Sequence, residues 1–392
     1  NLFLNLTIYR GIDFSFIKVI LWKEIIIMIN LSPDQEERAS KLHKESLVID
    51  ATSLDHVATK KRWFDQARSG GVDVVWVTMG GYAGMINTVR AVASVLRFIE
   101  TNSEEAVQVR TSDEMRQAKK DGKMGILFAT QDAACLDGDY AYLTIMKQFG
   151  YQVMGLTYSE SNMLGDGCGE RTREERGLSY FGLDVVAEMN RLGIIIDLAH
   201  CGDATTMDAL KASKAPCLFT HANVRAISDS SRNKTDEQIH AMAESGGVMG
   251  ICALPRMVNN DLRAASLDGI LDHIDYVVNL VGIDHVGFAG DFTDSIERVK
   301  LGEMLPGTTY GSSSRATPTQ GSGWAYWRVK RPDMLGTLEE RDVVPYAKGL
   351  DNLSKLPNLT RGLIARGYDD ESITKILGKN WLRVLDIVAG DT

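Results

Sequence analysis

Two short apolar runs each close on a histidine: Ile194-Ile195-Ile196-Asp197-Leu198-Ala199-His200 and Cys217-Leu218-Phe219-Thr220-His221. An apolar, β-branched run of this length reads as a strand buried on both faces, the kind found in parallel sheets. A histidine as its last residue stands at the strand's carboxyl end, where α/β barrels and open α/β sheets carry their chemistry. A third run, Val286-Gly287-Phe288-Ala289-Gly290-Asp291, brings a carboxylate to the same level. Neutral imidazoles with a carboxylate are the donor set that zinc and related divalent ions favour. Any one of these residues equally fits a packed, hydrogen-bonded side chain. Their recurrence at three strand ends is what points to a metal site.

The elements that must position these residues follow from the alternation of short β-branched runs with amphipathic stretches, the pattern of consecutive βα units. Eight strands are expected, near Leu47 to Ala51, Val72 to Met79, Gly125 to Thr130, Val153 to Tyr158, Ile194 to His200, Cys217 to His221, Gly247 to Ala253 and Val286 to Asp291. Helices are expected between them, among them Asn87 to Glu100, Tyr180 to Leu192, Asp203 to Ala212, Thr235 to Glu244 and Ser266 to Val281. Eight such units imply closure into an α/β (β/α)8 barrel of the TIM type. Two segments exceed ordinary βα spacing: the polar stretch 159–179 and the Gly/Ser/Thr-rich stretch 301–328, which ends in Trp324-Ala325-Tyr326-Trp327-Arg328. Both leave carboxyl ends of strands, so both are placed to overhang a site. Pro357 to Arg366 and Asp370 to Val388 read as additional C-terminal helices packed outside the barrel.

Ser32-Pro33-Asp34-Gln35-Glu36 reads as a helix start, with an N-cap serine, proline at the first helical position and acidic residues in the first turn. Residues 1–31 are expected to be an N-terminal extension of non-native upstream sequence, with Met28 a plausible start, and residues 32–392 a single barrel domain. Charges at Arg10, Asp13, Lys18, Lys23 and Glu24 interrupt the apolar start, which argues against a membrane span, and no secretory signal pattern is present. The net charge of -9 and the lack of a basic stripe argue against nucleic acid and favour a small-molecule partner. Five cysteines without CxxC spacing fit reduced thiols in the cytoplasm, with Cys201 and Cys217 expected as buried packing. No Walker or dinucleotide-binding glycine pattern occurs.

Several motifs together resemble the membrane (renal) dipeptidase family, zinc-dependent members of the amidohydrolase-type barrels. They are Glu188-Met189-Asn190-Arg191-Leu192-Gly193, Asp197-Leu198-Ala199-His200, Ser213-Lys214-Ala215-Pro216, Thr220-His221, Arg232-Asn233, Gly282-Ile283-Asp284-His285-Val286-Gly287 with Asp291-Phe292, and Asn358-Leu359-Thr360-Arg361 with Gly378-Lys379-Asn380-Trp381. The resemblance runs from about Leu47 to Val388. It implies a (β/α)8 fold, a zinc site in which His200 and His221 are ligands, Asp291 as general acid/base or third ligand, Arg232 as the grip on a substrate carboxylate, and a homodimer.

The chain departs from the family's pattern at the other half of the site. The His-x-Asp pair after the first strand is replaced by Thr52 and Leu54, the bridging glutamate by Gln131, and a substrate-contacting histidine by Tyr158. Leucine cannot ligate, and glutamine lacks the charge that holds two dications together. One divalent ion is therefore expected rather than two. The stretch from Leu156 to Arg171 resembles a divergent branch with the same losses; Tyr158 and Asn162 are its candidate substrate contacts, and a loop bonded to itself is the competing reading for Asn162. The expected activity is hydrolysis of a dipeptide or related small amide by metal-activated water. Two other readings stay open: a hydrolase or lyase for a non-peptide N-substituted metabolite, and a metal-free ligand-binding homologue.

Overall fold

The first helix begins as its sequence demands. Ser32 Oγ accepts from Gln35 N, Gln35 Oε1 accepts from Ser32 N at 2.9 Å, and Pro33 opens the helix α1 (Pro33–Glu45). The computed structural model describes residues 29–81, 84–170, 176–292, 331–337, 340 and 346–390. Most of the expected extension and the whole of the expected loop 301–328 lie outside the described residues, as do residues 171–175 of the segment 159–179.

All eight expected strands form: β1 (Ile49–Leu54), β2 (Val74–Thr78), β4 (Met124–Thr130), β5 (Tyr151–Gly155), β6 (Ile195–Asp197), β7 (Cys217–Phe219), β8 (Val248–Ile251) and β9 (Val286–Phe288). A further short strand, β3 (Ala106–Gln108), escaped the sequence reading because three half-polar residues carry too little periodicity. It covers Met124 to Ile126 of β4, below the part of that strand that β5 reaches. Every pairing is parallel, in the order β1-β2-β4-β5-β6-β7-β8-β9. The ring is nearly closed where β1 meets β9: Ser53 bridges Phe292, and the Asp50 carboxylate accepts from Gly290 N at 2.9 Å. This is a TIM-type α/β barrel.

Alternation along the strands builds two cores. Ile49, Val74, Trp76, Leu127, Val153, Ile195, Leu218 and Val248 form one with Trp381, filling the inside of the barrel. Their neighbours Val75, Val77, Ile126, Phe128, Ile196, Phe219, Met249 and Phe288 join the other, under the surrounding helices. Those helices include α2 (Lys61–Ser69), α3 (Gly84–Thr101), α4 (Ser112–Lys120), α5 (Tyr142–Phe149), α6 (Tyr180–Leu192), α7 (Asp203–Ala212), α8 (Asp236–Glu244), α9 (Leu267–Val281) and α10 (Pro357–Ala365).

The expected last helix is broken. Asp370–Thr374 is α-helical, Lys375–Lys379 forms a π turn, and α11 (Asn380–Ala389) completes the run. The widened turn lies where the chain passes closest to β1, since a Cβ on Gly378 would sit 2.0 Å from Leu47 O. It delivers Trp381 to the barrel interior, where its ring packs edge-on against Trp76 at 5.2 Å.

Candidate active site

The strands stop short of the functional residues. His200 lies three residues past β6, His221 two past β7 and Asp291 three past β9, so each sits on the first turn beyond its strand rather than as its last residue. The turns are fixed by buried polar groups. Asp197, at the end of β6, accepts from Ala199 N at 3.0 Å, Thr220 N at 2.9 Å and Thr220 Oγ1 at 2.7 Å, which joins the two histidine-bearing turns. Asp50 does the same between β1 and Gly290, the residue before Asp291.

His200 and His221 converge, with Nε2 atoms 2.9 Å apart and both rings buried. The network assigns the proton of His221 to Nδ1. Two hydroxyls face that atom, Thr220 Oγ1 at 2.8 Å and Thr52 Oγ1 at 3.2 Å. Each spends its own proton elsewhere, Thr220 on Asp197 and Thr52 on Ala51 O, so each is left as an acceptor. His221 Nε2 therefore carries a lone pair. His200 Nε2 stands 3.2 Å from Arg232 Nη2, which can only donate, so it also presents a lone pair. Burial, followed by the charge of Arg232, holds both imidazoles well below the usual histidine range and keeps them neutral. Two converging neutral nitrogens fit the donor chemistry of one borderline divalent ion, and the Asp197–Thr220–His221 chain is the outer-shell arrangement that orients such a ligand.

At the end of β1 and just after β4, Thr52, Leu54 and Gln131 carry no carboxylate or imidazole. Thr52 braces His221, Leu54 is apolar, and Gln131 donates from its amide to Thr78 Oγ1 at 3.4 Å. Among the described residues no three of His, Cys, Asp and Glu stand together as a ligand set.

Asp291 is buried with its backbone in the left-handed region, φ 51°, and its carbonyl accepts from Tyr346 Oη at 3.3 Å. Burial pushes its carboxyl up to about 7; the nearby Arg232 cation opposes this and the Asp50 charge adds to it. Tyr158 stacks on His200, centroids 4.0 Å apart and planes at 22°, and burial keeps its phenol protonated far above the usual range. Arg232 is fully buried. It donates to Ala199 O through Nη1 and to His221 O at 3.1 Å through Nη2, while among the described residues its Nε–H has no hydrogen-bond partner. Asn162 Nδ2 donates to Asp132 Oδ1 at 2.9 Å and Leu156 O at 2.8 Å, and its Oδ1 accepts from Leu164 N at 2.7 Å, so it braces its own loop against the end of β4. The sequence reading missed Asp197 and Thr220 as orienting groups; their signal was a polar residue inside each apolar run. Cys201 and Cys217 are buried free thiols, as expected.

A parallel βα barrel with imidazoles converging above its carboxyl end defines an amidohydrolase-type barrel. The chain belongs to the membrane dipeptidase family, peptidase family M19, whose model matches residues 36–304 and 341–390. It is 26% identical over 304 residues to the dipeptidase tcpJ of Claviceps purpurea, a match covering 78% of this chain and 60% of that protein. The chain thus spans about three-fifths of the length of this curated relative. An amidohydrolase from Pseudomonas aeruginosa superposes with a TM-score of 0.75 at 28% identity, over 90% of this chain and 99% of that one. The probable dipeptidase PvdM from the same organism shares the fold, with a TM-score of 0.69 at 20% identity over 92% and 100% of the two chains.

Proposed function

We propose that this chain is a metal-dependent hydrolase of the dipeptidase type that cleaves a dipeptide or related small amide, with a single ion, zinc by its donor set, held by His200 and His221. The observation that carries the reading is the convergence of the two buried imidazoles, Nε2 to Nε2 at 2.9 Å, with the hydroxyls of Thr220 and Thr52 assigning the His221 proton to Nδ1. Family membership supplies the activity class.

When bound, the cation lowers the pKa of a water molecule and polarises the scissile carbonyl. The protein's own groups do the rest. Asp291, whose carboxyl titrates near neutrality, takes the water proton and delivers it to the departing nitrogen. Tyr158, held neutral, donates its hydroxyl to the oxygen on which charge develops. Arg232 spends one Nη1–H and both Nη2–H donors on the turns and His200, so its Nε–H and the second Nη1–H are the donors left for a substrate carboxylate. Asn162 acts by holding the loop that carries Tyr158. Residues 32–392 act as one barrel domain, and the buried free thiols favour a reducing compartment, the cytoplasm. No helix among the described residues is long and apolar enough to cross a membrane. A homodimer rests on the family resemblance.

The Arg232 contact with His200 Nε2 favours a second reading, a metal-free ligand-binding homologue, because guanidinium and cation compete for one lone pair. Elemental analysis of protein equilibrated with zinc and desalted separates the two. About one ion per chain is expected, falling to a small fraction in His200→Ala and in His221→Ala, with loss of dipeptide hydrolysis in both. No bound metal would establish the second reading; two ions per chain would overturn the single-ion site.

A further inference from the structure

Lys234 is 1% exposed, and among the described residues no carboxylate bonds its ammonium. Nζ donates instead to Leu198 O at 2.8 Å, Cys201 O at 3.1 Å and Thr206 Oγ1 at 3.4 Å, and lies 5.0 Å from the Phe219 ring centroid. Between those two carbonyls, Ala199 O is taken by Arg232 Nη1 and His200 O by Cys168 N at 2.8 Å. All four carbonyls of the turn that presents His200 therefore bond donors from other segments, and Lys234 holds the first and the last. Its main chain is bound to the other turn: Lys234 N donates to Asn223 O at 2.8 Å, and its carbonyl accepts from Arg225 N at 2.9 Å, just past His221. An ammonium is costly to bury unless it is hydrogen-bonded, and here the two carbonyls, which also accept from Cys201 N and Thr206 Oγ1, supply its bonds.

We propose that Lys234 is a positioning residue that sets His200 against His221, its side chain gripping one histidine-bearing turn while its backbone is paired to the other. It bonds neither imidazole and positions them through the turns, while its charge also reaches both rings and lowers their pKa. The assignment rests on the function proposed above only in treating that histidine pair as the working site.

The test uses metal-free, ¹⁵N-histidine-labelled full-length protein, comparing imidazole resonances in the wild type, Lys234→Met and Lys147→Met. Methionine keeps the packing over Phe219 and removes the charge. Lys147 is the control: its ammonium bonds Gln152 Oε1 and Gly193 O, at the opposite end of β6. Lys234→Met is expected to move the ring signals of both His200 and His221 and to weaken zinc binding by about tenfold or more in chelator competition, whereas Lys147→Met leaves both unchanged. Unmoved His200 and His221 signals in Lys234→Met would overturn the proposal. If that variant does not fold, Lys234→Gln, which keeps a neutral donor with a shorter reach to the two carbonyls, is expected to shift the same signals to a smaller degree; no shift there is equally decisive. A wild type that takes up no zinc would defeat the metal reading and leave the resonance test intact.

Discussion

A carboxyl that titrates near neutrality is useful to a hydrolase and leaves a mark on the protein's stability. Asp291 is pushed from 3.8 up to about 7, mainly by burial, so in metal-free protein it stays protonated where the unfolded chain is ionised. Its contribution is complete below the unfolded value and is lost as pH rises through about 7. An asparagine at this position has no proton to release. The stability of the wild type relative to Asp291→Asn, from denaturant unfolding of metal-free protein, should therefore fall by roughly a few kcal/mol between pH 4 and pH 7. A difference that stays flat across that range would mean the carboxyl is solvated or paired. The comparison isolates Asp291 from the buried imidazoles, which oppose it: their pKa values are lowered, so they cost stability as pH falls below the usual histidine value.

At the scale of elements, the weak place is where β1 meets β9, joined by the Ser53–Phe292 bridge and by Asp50. Asp50 Oδ1 accepts from Gly290 N while Ser53 Oγ donates to Oδ2, so one buried side chain holds the last strand's exit, and with it the strained backbone of Asp291. Asp50→Ala should cost about 1–3 kcal/mol and speed amide exchange at Gly290 more than at Thr220, whose amide is held by Asp197. Equal acceleration at both amides would show a global loss and remove the seam argument. The strands of this barrel were legible because burial on both faces writes continuous β-branched runs such as Val74 to Val77. Three things were not: β3, too short to show a period; the π turn at Lys375–Lys379, which answers to the close approach of Gly378 and Leu47 O; and the hydrogen bonds of Asp197, Thr220 and Lys234, each joining segments remote in sequence. The histidine pair was legible as residue types at strand ends. That Thr52 had become a brace for His221 was visible only once β1 and β7 were folded into one ring.

For the molecule as a whole, the barrel divides its labour between two ends. Chemistry gathers at the carboxyl ends of the strands, while Trp381 fills the interior from the terminal helices, its ring against Trp76 and over the backbone of Gly287 in β9. A Cβ at residue 287 would meet the indole at 2.6 Å, so Gly287→Ala must displace the plug or bend the strand. Overpacking of this kind costs about 1–3 kcal/mol, a drop of about 1–4 °C in thermal midpoint for a chain of this size. The plug packs on Ile195 of β6 and Leu218 of β7, whereas His200 and His221 lie on the turns beyond those strands, which Asp197 and Lys234 hold by hydrogen bonds of their own. The expected outcome for Gly287→Ala is thus lower thermal stability with zinc affinity within about twofold of the wild type, read by calorimetry and chelator competition on one preparation. A parallel loss of affinity would mean that strain at the plug travels the height of β9 into the mouth, and that the two ends are one cooperative unit.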